Sequence, residues 1–212
     1  LTTIAGGVID VVHTGIALIA GSVESSGRIE FDGGGDILIN ATIGTAAGSH
    51  SDIVVYTSAD VVQNASINVH GSGELQVSAD GLITMTLPGV TTGELGDVIY
   101  HAGGALILTS LTTTGDVDLV AGGSITGDSS VVDVTGSELT FSAANGVILI
   151  TSVTDVSGSN SDNADITIVN EIVAPVRIAG LSTRGGNINF TNSGGSTLNL
   201  VDDDISSGDE AG

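Results

Sequence analysis

The chain of 212 residues contains 25 acidic and only 3 basic residues, which gives a formal net charge of −22. That charge excludes most binding to nucleic acids or anionic membranes, because almost no side chain can neutralise phosphate groups. Aromatic residues make up 2% of the chain, which also has 32 glycines, 2 prolines and no cysteine. This composition predicts a core built mainly from Val, Ile, Leu and Ala in many thin layers.

A short pattern recurs along the chain, beginning at the first predicted strand. A small residue precedes two large apolar residues that are separated by one position, as in Gly7-Val-Ile-Asp-Val and Gly115-Asp-Val-Asp-Leu. The pattern occurs nine times between residues 7 and 186, at a mean spacing of about 22 residues. Since side chains alternate between the two faces of a strand, both apolar positions should face the core. They predict two buried columns: Ile9, Ile29, Ile53, Leu75, Val98, Val117, Leu139, Ile166 and Ile188, and Val11, Phe31, Val55, Val77, Tyr100, Leu119, Phe141, Ile168 and Phe190.

Two further strands are predicted in each repeat. A second apolar pattern begins eight or nine residues after the small residue in most repeats, as in Gly35-Asp-Ile-Leu-Ile and Gly104-Ala-Leu-Ile-Leu. A third apolar position follows later in the repeat, as at Ile43 and Leu111. Glycine, serine and aspartate between these strands favour tight corners. The chain is therefore predicted to be all-β, a three-sided parallel β-helix of about nine coils in which stacking buries what one coil cannot.

The predicted solenoid is a single domain over residues 1–201. Leu1-Thr2-Thr3 has the same sequence as Leu111-Thr112-Thr113, which begins at a third-strand position. We therefore expect the chain to start mid-coil and to end mid-coil at Val201. Residues 202–212 form a predicted acidic terminal segment. An uncovered rung exposes strand edges, so we expect either further coils of a longer chain or end-to-end stacking of this chain on itself.

An acidic residue follows the small residue in six consecutive repeats. We call this row the acidic ladder: Asp52, Glu74, Asp97, Asp116, Glu138 and Asp165. Its parity is opposite to that of the core columns, so its carboxylates should face solvent about 4.8 Å apart. In water each repulsion is about 1 kcal/mol and is screened by salt, so a solvated edge that favours solubility explains the row. The alternative is a row of Ca²⁺ sites, because hard cations bind carboxylate oxygens.

Residues 154–165, with the sequence TDVSGSNSDNAD, are the longest departure from the period and predict a loop inserted between repeats seven and eight. Asp155 and Asp162, together with Asp165, make this loop a second candidate Ca²⁺ site, although it matches no calcium-loop pattern. A plain surface loop is the alternative. The sequence contains neither Gly-x-Ser-x-Gly nor His-Glu-x-x-His. We therefore expect no catalytic residue, no cofactor other than Ca²⁺ and no enzymatic activity.

The phrases GDVDLVAGGSIT (115–126) and GGGDILI (33–39) resemble the β-helical repeats of bacterial filamentous-haemagglutinin-like exoproteins and adhesins. The resemblance covers essentially residues 1–201. It implies a right-handed parallel β-helix that is secreted to the bacterial cell surface. The resulting expectation is a rod-like unit of a surface filament, sheath or stalk, without nucleic-acid binding or membrane insertion. The alternative is a Ca²⁺-dependent adhesin segment that binds a host, cell-surface or polysaccharide partner.

Overall fold

A computed structural model describes residues 7–86, 89, 91–200 and the strand 205–207. Over these residues the chain is a β-solenoid of about nine turns, in which every strand pair is parallel. Paired residues such as Ile53 and Leu75 lie 22 positions apart, in agreement with the repeat. The predicted all-β solenoid is thus confirmed. The part of the chain that the structure describes has no helix long and apolar enough to cross a membrane.

Each of the first six coils contains three short strands. These strands are β1 (Ile9–His13), β2 (Ala17–Ile19), β3 (Val23–Ser25), β4 (Ile29–Gly33), β5 (Ile37–Ile39), β6 (Ile43–Thr45), β7 (Ile53–Thr57), β8 (Val61–Gln63), β9 (Ile67–Val69), β10 (Leu75–Ala79), β11 (Ile83–Met85), β12 (Thr91–Gly93), β13 (Val98–Ala102), β14 (Leu106–Ile107), β15 (Leu111–Thr112), β16 (Val117–Ala121), β17 (Ile125–Thr126) and β18 (Val134–Thr135).

The later coils contain two strands each, which are five to eight residues long except for the last two strands, which have three residues each. These strands are β19 (Glu138–Ala143), β20 (Val147–Ser152), β21 (Asp155–Asn160), β22 (Ile166–Asn170), β23 (Val176–Thr183), β24 (Ile188–Asn192), β25 (Leu198–Leu200) and β26 (Ile205–Ser207).

Two sheets run along the rod. The first-strand sheet has the order β1-β4-β7-β10-β13-β16-β19-β21-β23-β25, and β26 also pairs with β23. The second sheet contains the second and third strands of every coil, followed by β22 and β24. Strand β20 joins its two halves, because Val147 pairs with β17 whereas Thr151 pairs with β18.

The predicted core columns are confirmed from β1 to β19. Ile53, Leu75 and Val98 follow one another in register and are fully buried. Beyond Phe141 the predicted members Ile166 and Ile168 are buried, but their placement in the first-strand sheet is wrong. Ile166 pairs with Val147 in the second sheet, and Phe190 lies there opposite Ile168. In the first-strand sheet the places of Ile166 and Ile188 are taken by Val156 and Ile178.

The predicted inserted loop at residues 154–165 is also wrong, because it contains β21. Gly158 in this strand lies opposite Phe141, and a Cβ on Gly158 would be 2.6 Å from the phenyl ring. Glycine at this position leaves room for the ring. Asn160 is buried, and its side-chain amide accepts from the N–H of Gly146 and donates to the carbonyl of Ala164. Strand β21, which has one apolar side chain, therefore fits into the stack because Gly158 is small and Asn160 is hydrogen-bonded. It does not depend on alternating apolar residues.

Part of the predicted terminal segment 202–212 belongs to the solenoid. Ile205 pairs with Leu181 of β23, so β26 extends the first-strand sheet into this segment. Residues 201–204 and 208–212 lie outside the described residues, as does the predicted mid-coil start at Leu1-Thr2-Thr3.

Candidate functional site

The structure brings five of the six acidic-ladder residues into one row. Each directly precedes a core residue of the first-strand sheet, and these core residues pair in register from Ile53 to Leu139. The five are Asp52, Glu74, Asp97, Asp116 and Glu138. The sixth prediction is wrong, since Asp165 precedes β22 in the second sheet. Asp155 pairs with Glu138 and occupies the sixth position of the row, because β21 is the next strand of the first-strand sheet.

An arginine borders the row at each end. Arg177 pairs with Asp155 in the strand register, and its Nη1 lies 3.3 Å from Oδ1 of Asp155. At the other end Arg28 precedes Ile29, which pairs with Ile53, so Arg28 occupies the place before Asp52. Both arginines are about half exposed, so the ion pairs they form contribute little stability. Their placement limits the electrostatic repulsion to the interior of the row.

Aspartates of the ladder hydrogen-bond to the backbone of the following coil. Oδ1 of Asp52 accepts from the N–H of Glu74 at 2.9 Å, and Oδ1 of Asp97 accepts from the N–H of Asp116 at 3.0 Å. Oδ1 of Asp116 accepts from the N–H of Glu138 at 3.3 Å. The N–H groups of Glu74 and Asp116 lie at corners just before a strand, and that of Glu138 belongs to the first residue of β19. These carboxylates therefore satisfy backbone donors that need an acceptor in the folded chain.

The second sheet repeats this arrangement at its own corners. Oδ1 of Asp60 accepts from the N–H of Leu82 at 2.7 Å, and Oδ1 of Asp165 accepts from the N–H of Asn187 at 2.7 Å. Oδ1 of Asp36 accepts from the N–H of Asp60 at 3.2 Å. We call the six aspartates that bond in this way the carboxylate clamps: Asp36, Asp52, Asp60, Asp97, Asp116 and Asp165.

The remaining candidate Ca²⁺ ligands make local contacts. Oδ2 of Asp155 accepts from the hydroxyl of Thr154 at 3.0 Å, and its Oδ1 faces Arg177. Asp162 lies at the corner after β21, where its Oδ1 accepts from the N–H of Asn163 at 2.8 Å. Over the described ranges, no group of three or more His, Asp or Glu side chains is placed to hold a metal ion.

A shallow groove of about 340 Å³ lies beside the row in the middle of the rod. It is lined by Asp97, Asp116, Asp118 and Glu138, together with Ile99. Nε2 of His101 lies 3.0 Å from Oδ2 of Asp118, and Asp97 and Asp116 accept backbone N–H groups, so three of these four carboxylates already have a partner. Chemically, the groove suits a positively charged group rather than an anion.

Asp133 is a buried carboxylate that the repeat pattern did not indicate. Its side chain is 1% exposed, and its two oxygens accept from the N–H groups of Asp128 and Ile150, each at 2.7 Å. Burial raises the pKa of Asp133 to about 6, although both hydrogen bonds act in the opposite direction. Through these two bonds the side chain links the corner that precedes β18 with strand β20 of the next coil. Its position within Val-Val-Asp-Val, between core-type residues, was the available signal in the sequence.

A closed set of three polar side chains lies inside the core. The hydroxyl of Tyr100 donates to Oε1 of Gln63 at 2.8 Å, and Nε2 of Gln63 donates to Oγ1 of Thr91 at 3.0 Å. Oγ1 of Thr91 lies 2.7 Å from the hydroxyl of Tyr100. Burial raises the pKa of Tyr100 well above its ordinary value. Each group partners the other two, so the set satisfies itself and joins three strands of neighbouring coils.

His70 and Glu94 form a further pair at a corner of the rod. Nδ1 of His70 lies 2.7 Å from Oε1 of Glu94, and the N–H of Gly71 donates to Oε2. The hydrogen bond from Gly71, followed by that from His70, lowers the pKa of Glu94. This pair joins two coils and is remote in sequence from His101 and Asp118. The described histidines therefore act in separate local contacts.

Comparisons with known proteins do not assign this chain to a family. No protein-family model matches it, and no curated protein and no solved structure matches it either. The resemblance to filamentous-haemagglutinin-like repeats remains a prediction from the repeated phrases.

Proposed function

We propose that this chain is a rod-like structural or adhesive unit of a bacterial surface filament, sheath or stalk. The observation that supports this proposal most is the use of its polar side chains. The carboxylate clamps, Asp133 and the Gln63–Thr91–Tyr100 set all bond one coil to another. These side chains thus hold successive coils of the solenoid together. We propose that the chain acts outside the cell without catalytic activity.

Exposed core-type residues near one end of the rod support end-to-end assembly. Val176 and Ile178 are buried, with exposed fractions of 0% and 1%. Leu198 and Leu200 pair with them in register, yet are 42% and 63% exposed. Among the described strands β25 pairs only with β23, so another coil stacked on β25 would cover these side chains and pair with its other edge. We propose that a second copy of this chain provides that coil.

The clamps favour a structural role for the acidic ladder. In each ladder clamp one carboxylate oxygen already accepts a backbone N–H from the next coil. A cation that bound there would compete with this bond. We therefore propose that the row stabilises and solubilises the rod without Ca²⁺.

Sedimentation velocity over a concentration series tests the proposed assembly. Leu200→Lys would introduce a charge at the end of the rod, and Leu95→Lys is its matched control, because Leu95 is also 63% exposed but lies on the side of the solenoid. We expect the sedimentation coefficient to rise with concentration in the parent chain and in Leu95→Lys. The rise should be lost in Leu200→Lys. Equal behaviour of all three chains would contradict stacking through this end.

A further inference from the structure

One lateral face of the solenoid has an outward row without charge. The row consists of the outward residue of each successive second strand, and the strands pair in register. We call it the aliphatic row: Leu18, Leu38, Val62, Thr84, Ile107, Thr126, Ile148 and Thr167. Several members are well exposed, since Leu18 is 59%, Ile107 41% and Ile148 58% exposed. Five of the eight members are aliphatic and three are threonine, and an ordered, uncharged row with exposed aliphatic side chains is characteristic of an interaction surface.

The other two faces differ from this one. Outward positions of the first-strand sheet include Asp10, Glu30 and Asp118. The third-strand face begins with Glu24 and continues mainly with small polar residues such as Thr112. Because the chain has a net charge of −22, two copies repel each other in most relative orientations. Contact through the aliphatic row keeps most of that charge outside the interface.

The two margins of the row are chemically complementary in two successive coils, at β5 and β8. Asp36, Asp60 and Asp165 lie where the second strands begin. Asn40 and Asn64 lie where they end, and Nδ2 of Asn64 donates to Oδ1 of Asn40 at 2.7 Å. In these two coils one margin therefore presents the carboxylate acceptors of Asp36 and Asp60, whereas the other presents the amide groups of Asn40 and Asn64, which donate hydrogen bonds.

We propose that a second copy of this chain packs on the aliphatic row, side by side and with the two rods parallel. A two-fold axis along the rods places Asp36 and Asp60 of one copy opposite Asn40 and Asn64 of the other. Antiparallel rods would instead oppose aspartate to aspartate. Two flat sheet faces can approach to about 10 Å, which is close enough for the Ile and Leu side chains to interdigitate.

The area of the row predicts a weak interface for a single rod. Eight coils about 4.8 Å apart and a width of about 13 Å bury roughly 500 Å² on each copy, or about 1,000 Å² in total. That total is at the lower limit for specific interfaces. The inference rests on the proposed function, because end-to-end stacking would multiply this contact along two filaments. Lateral pairing would then turn single filaments into bundles.

Small-angle X-ray scattering with sedimentation tests this pairing with a matched pair of variants. Ile148→Asp introduces a charge into the aliphatic row, whereas Ile99→Asp changes an outward isoleucine of the first-strand sheet. Circular dichroism and the Tm of both variants verify folding. We expect the mass per unit length to double with concentration in the parent chain and in Ile99→Asp. In Ile148→Asp it should keep the value of a single rod at every concentration.

Two controls separate this proposal from the proposed end-to-end assembly. Leu200→Lys should stop growth in length but leave the twofold change in cross-section, because it lies outside the aliphatic row. Ile148→Asp should abolish the twofold change in cross-section but leave growth in length. A cross-section of one rod for the parent chain at every concentration would overturn lateral pairing. So would a doubling that persists in Ile148→Asp, or one that disappears equally in both isoleucine variants.

Discussion

Oδ1 of Asp52 accepts a hydrogen bond from the backbone N–H of Glu74, the residue at the same place one coil further along, at 2.9 Å. The bond joins two coils at a corner, outside the strand ladder. Six aspartates in two different sheets make the same bond. The acidic edge of this protein is therefore part of the structure that holds successive coils together.

Replacement of a clamp should destabilise the rod even though it lowers the negative charge. Asp52→Ala leaves the N–H of Glu74 without its acceptor, so we expect the free energy of unfolding to fall by about 1 kcal/mol. Asp52→Asn keeps an acceptor oxygen and should cost less. Asp32 is the matched control, because it is exposed and has no side-chain hydrogen bond among the described residues. Urea denaturation should show no loss for Asp32→Ala, and a stabilised Asp52→Ala would contradict the clamp.

The pH dependence of stability should include a contribution from Asp133. Its pKa is about 6 in the folded chain, against an ordinary value of 3.8. Between these values the folded state binds more protons than the unfolded state, so this group makes stability fall as pH rises through the window. The maximum slope is about 1.4 kcal/mol per pH unit.

Asp133→Asn isolates this contribution from the titration of the other carboxylates. Because the variant lacks this titration, the difference between its unfolding free energy and that of the parent chain should change between pH 4 and pH 6. The variant should also be less stable at pH 7, because an amide nitrogen would face one of the two N–H donors. A difference that does not vary with pH across this range would contradict the raised pKa.

The buried set of Gln63, Thr91 and Tyr100 should show strong coupling between substitutions. Tyr100→Phe removes the donor to Oε1 of Gln63 and the partner of Thr91, so we expect a loss of about 1–3 kcal/mol. The triple variant Gln63→Leu, Thr91→Val and Tyr100→Phe replaces all the polar groups with apolar ones. It should be closer in stability to the parent chain than the single variant is. Thermal denaturation of both would measure this, and additive losses would contradict a closed set.

Gly158 should tolerate a side chain only when Phe141 is made smaller. The Cβ of Gly158→Ala would lie 2.6 Å from the ring of Phe141, so we expect overpacking to cost about 1–3 kcal/mol. In a Phe141→Leu background the same substitution should cost clearly less. Chemical denaturation of the four chains of this cycle measures the coupling. Equal cost in both backgrounds would place β21 elsewhere in the stack.

Much of the fold could be predicted because burial on parallel strands leaves a regular trace in the sequence. From Ile9 to Phe141 the alternating apolar residues and the spacing of the small residues gave the correct register. The prediction failed at β21, where Gly158 and Asn160 occupy inward positions in place of aliphatic residues. Fit there depends on the neighbouring ring of Phe141 and on hydrogen bonds to distant backbone groups. Neither is visible in the pattern of one strand.

The same limit applies to the candidate site. The row from Asp52 to Glu138 could be predicted, because position relative to the strand start decides which face a residue occupies. The bonds of the clamps could not, since they depend on the corner amide of the following coil. Glu74 occupies the same place as Asp52, yet no described hydrogen bond involves its carboxylate. The three residues of the row that form clamps are all aspartates.

Negative-stain electron microscopy of the purified chain, in millimolar Ca²⁺ and in EDTA, tests the central claim most directly. Nine coils make a rod of roughly 40 Å. We expect filaments far longer than that, with an axial repeat near one chain length and the same form in both buffers. Isolated short rods in both buffers would contradict end-to-end assembly. Filaments that form only with Ca²⁺ would contradict a ladder that acts without a cation.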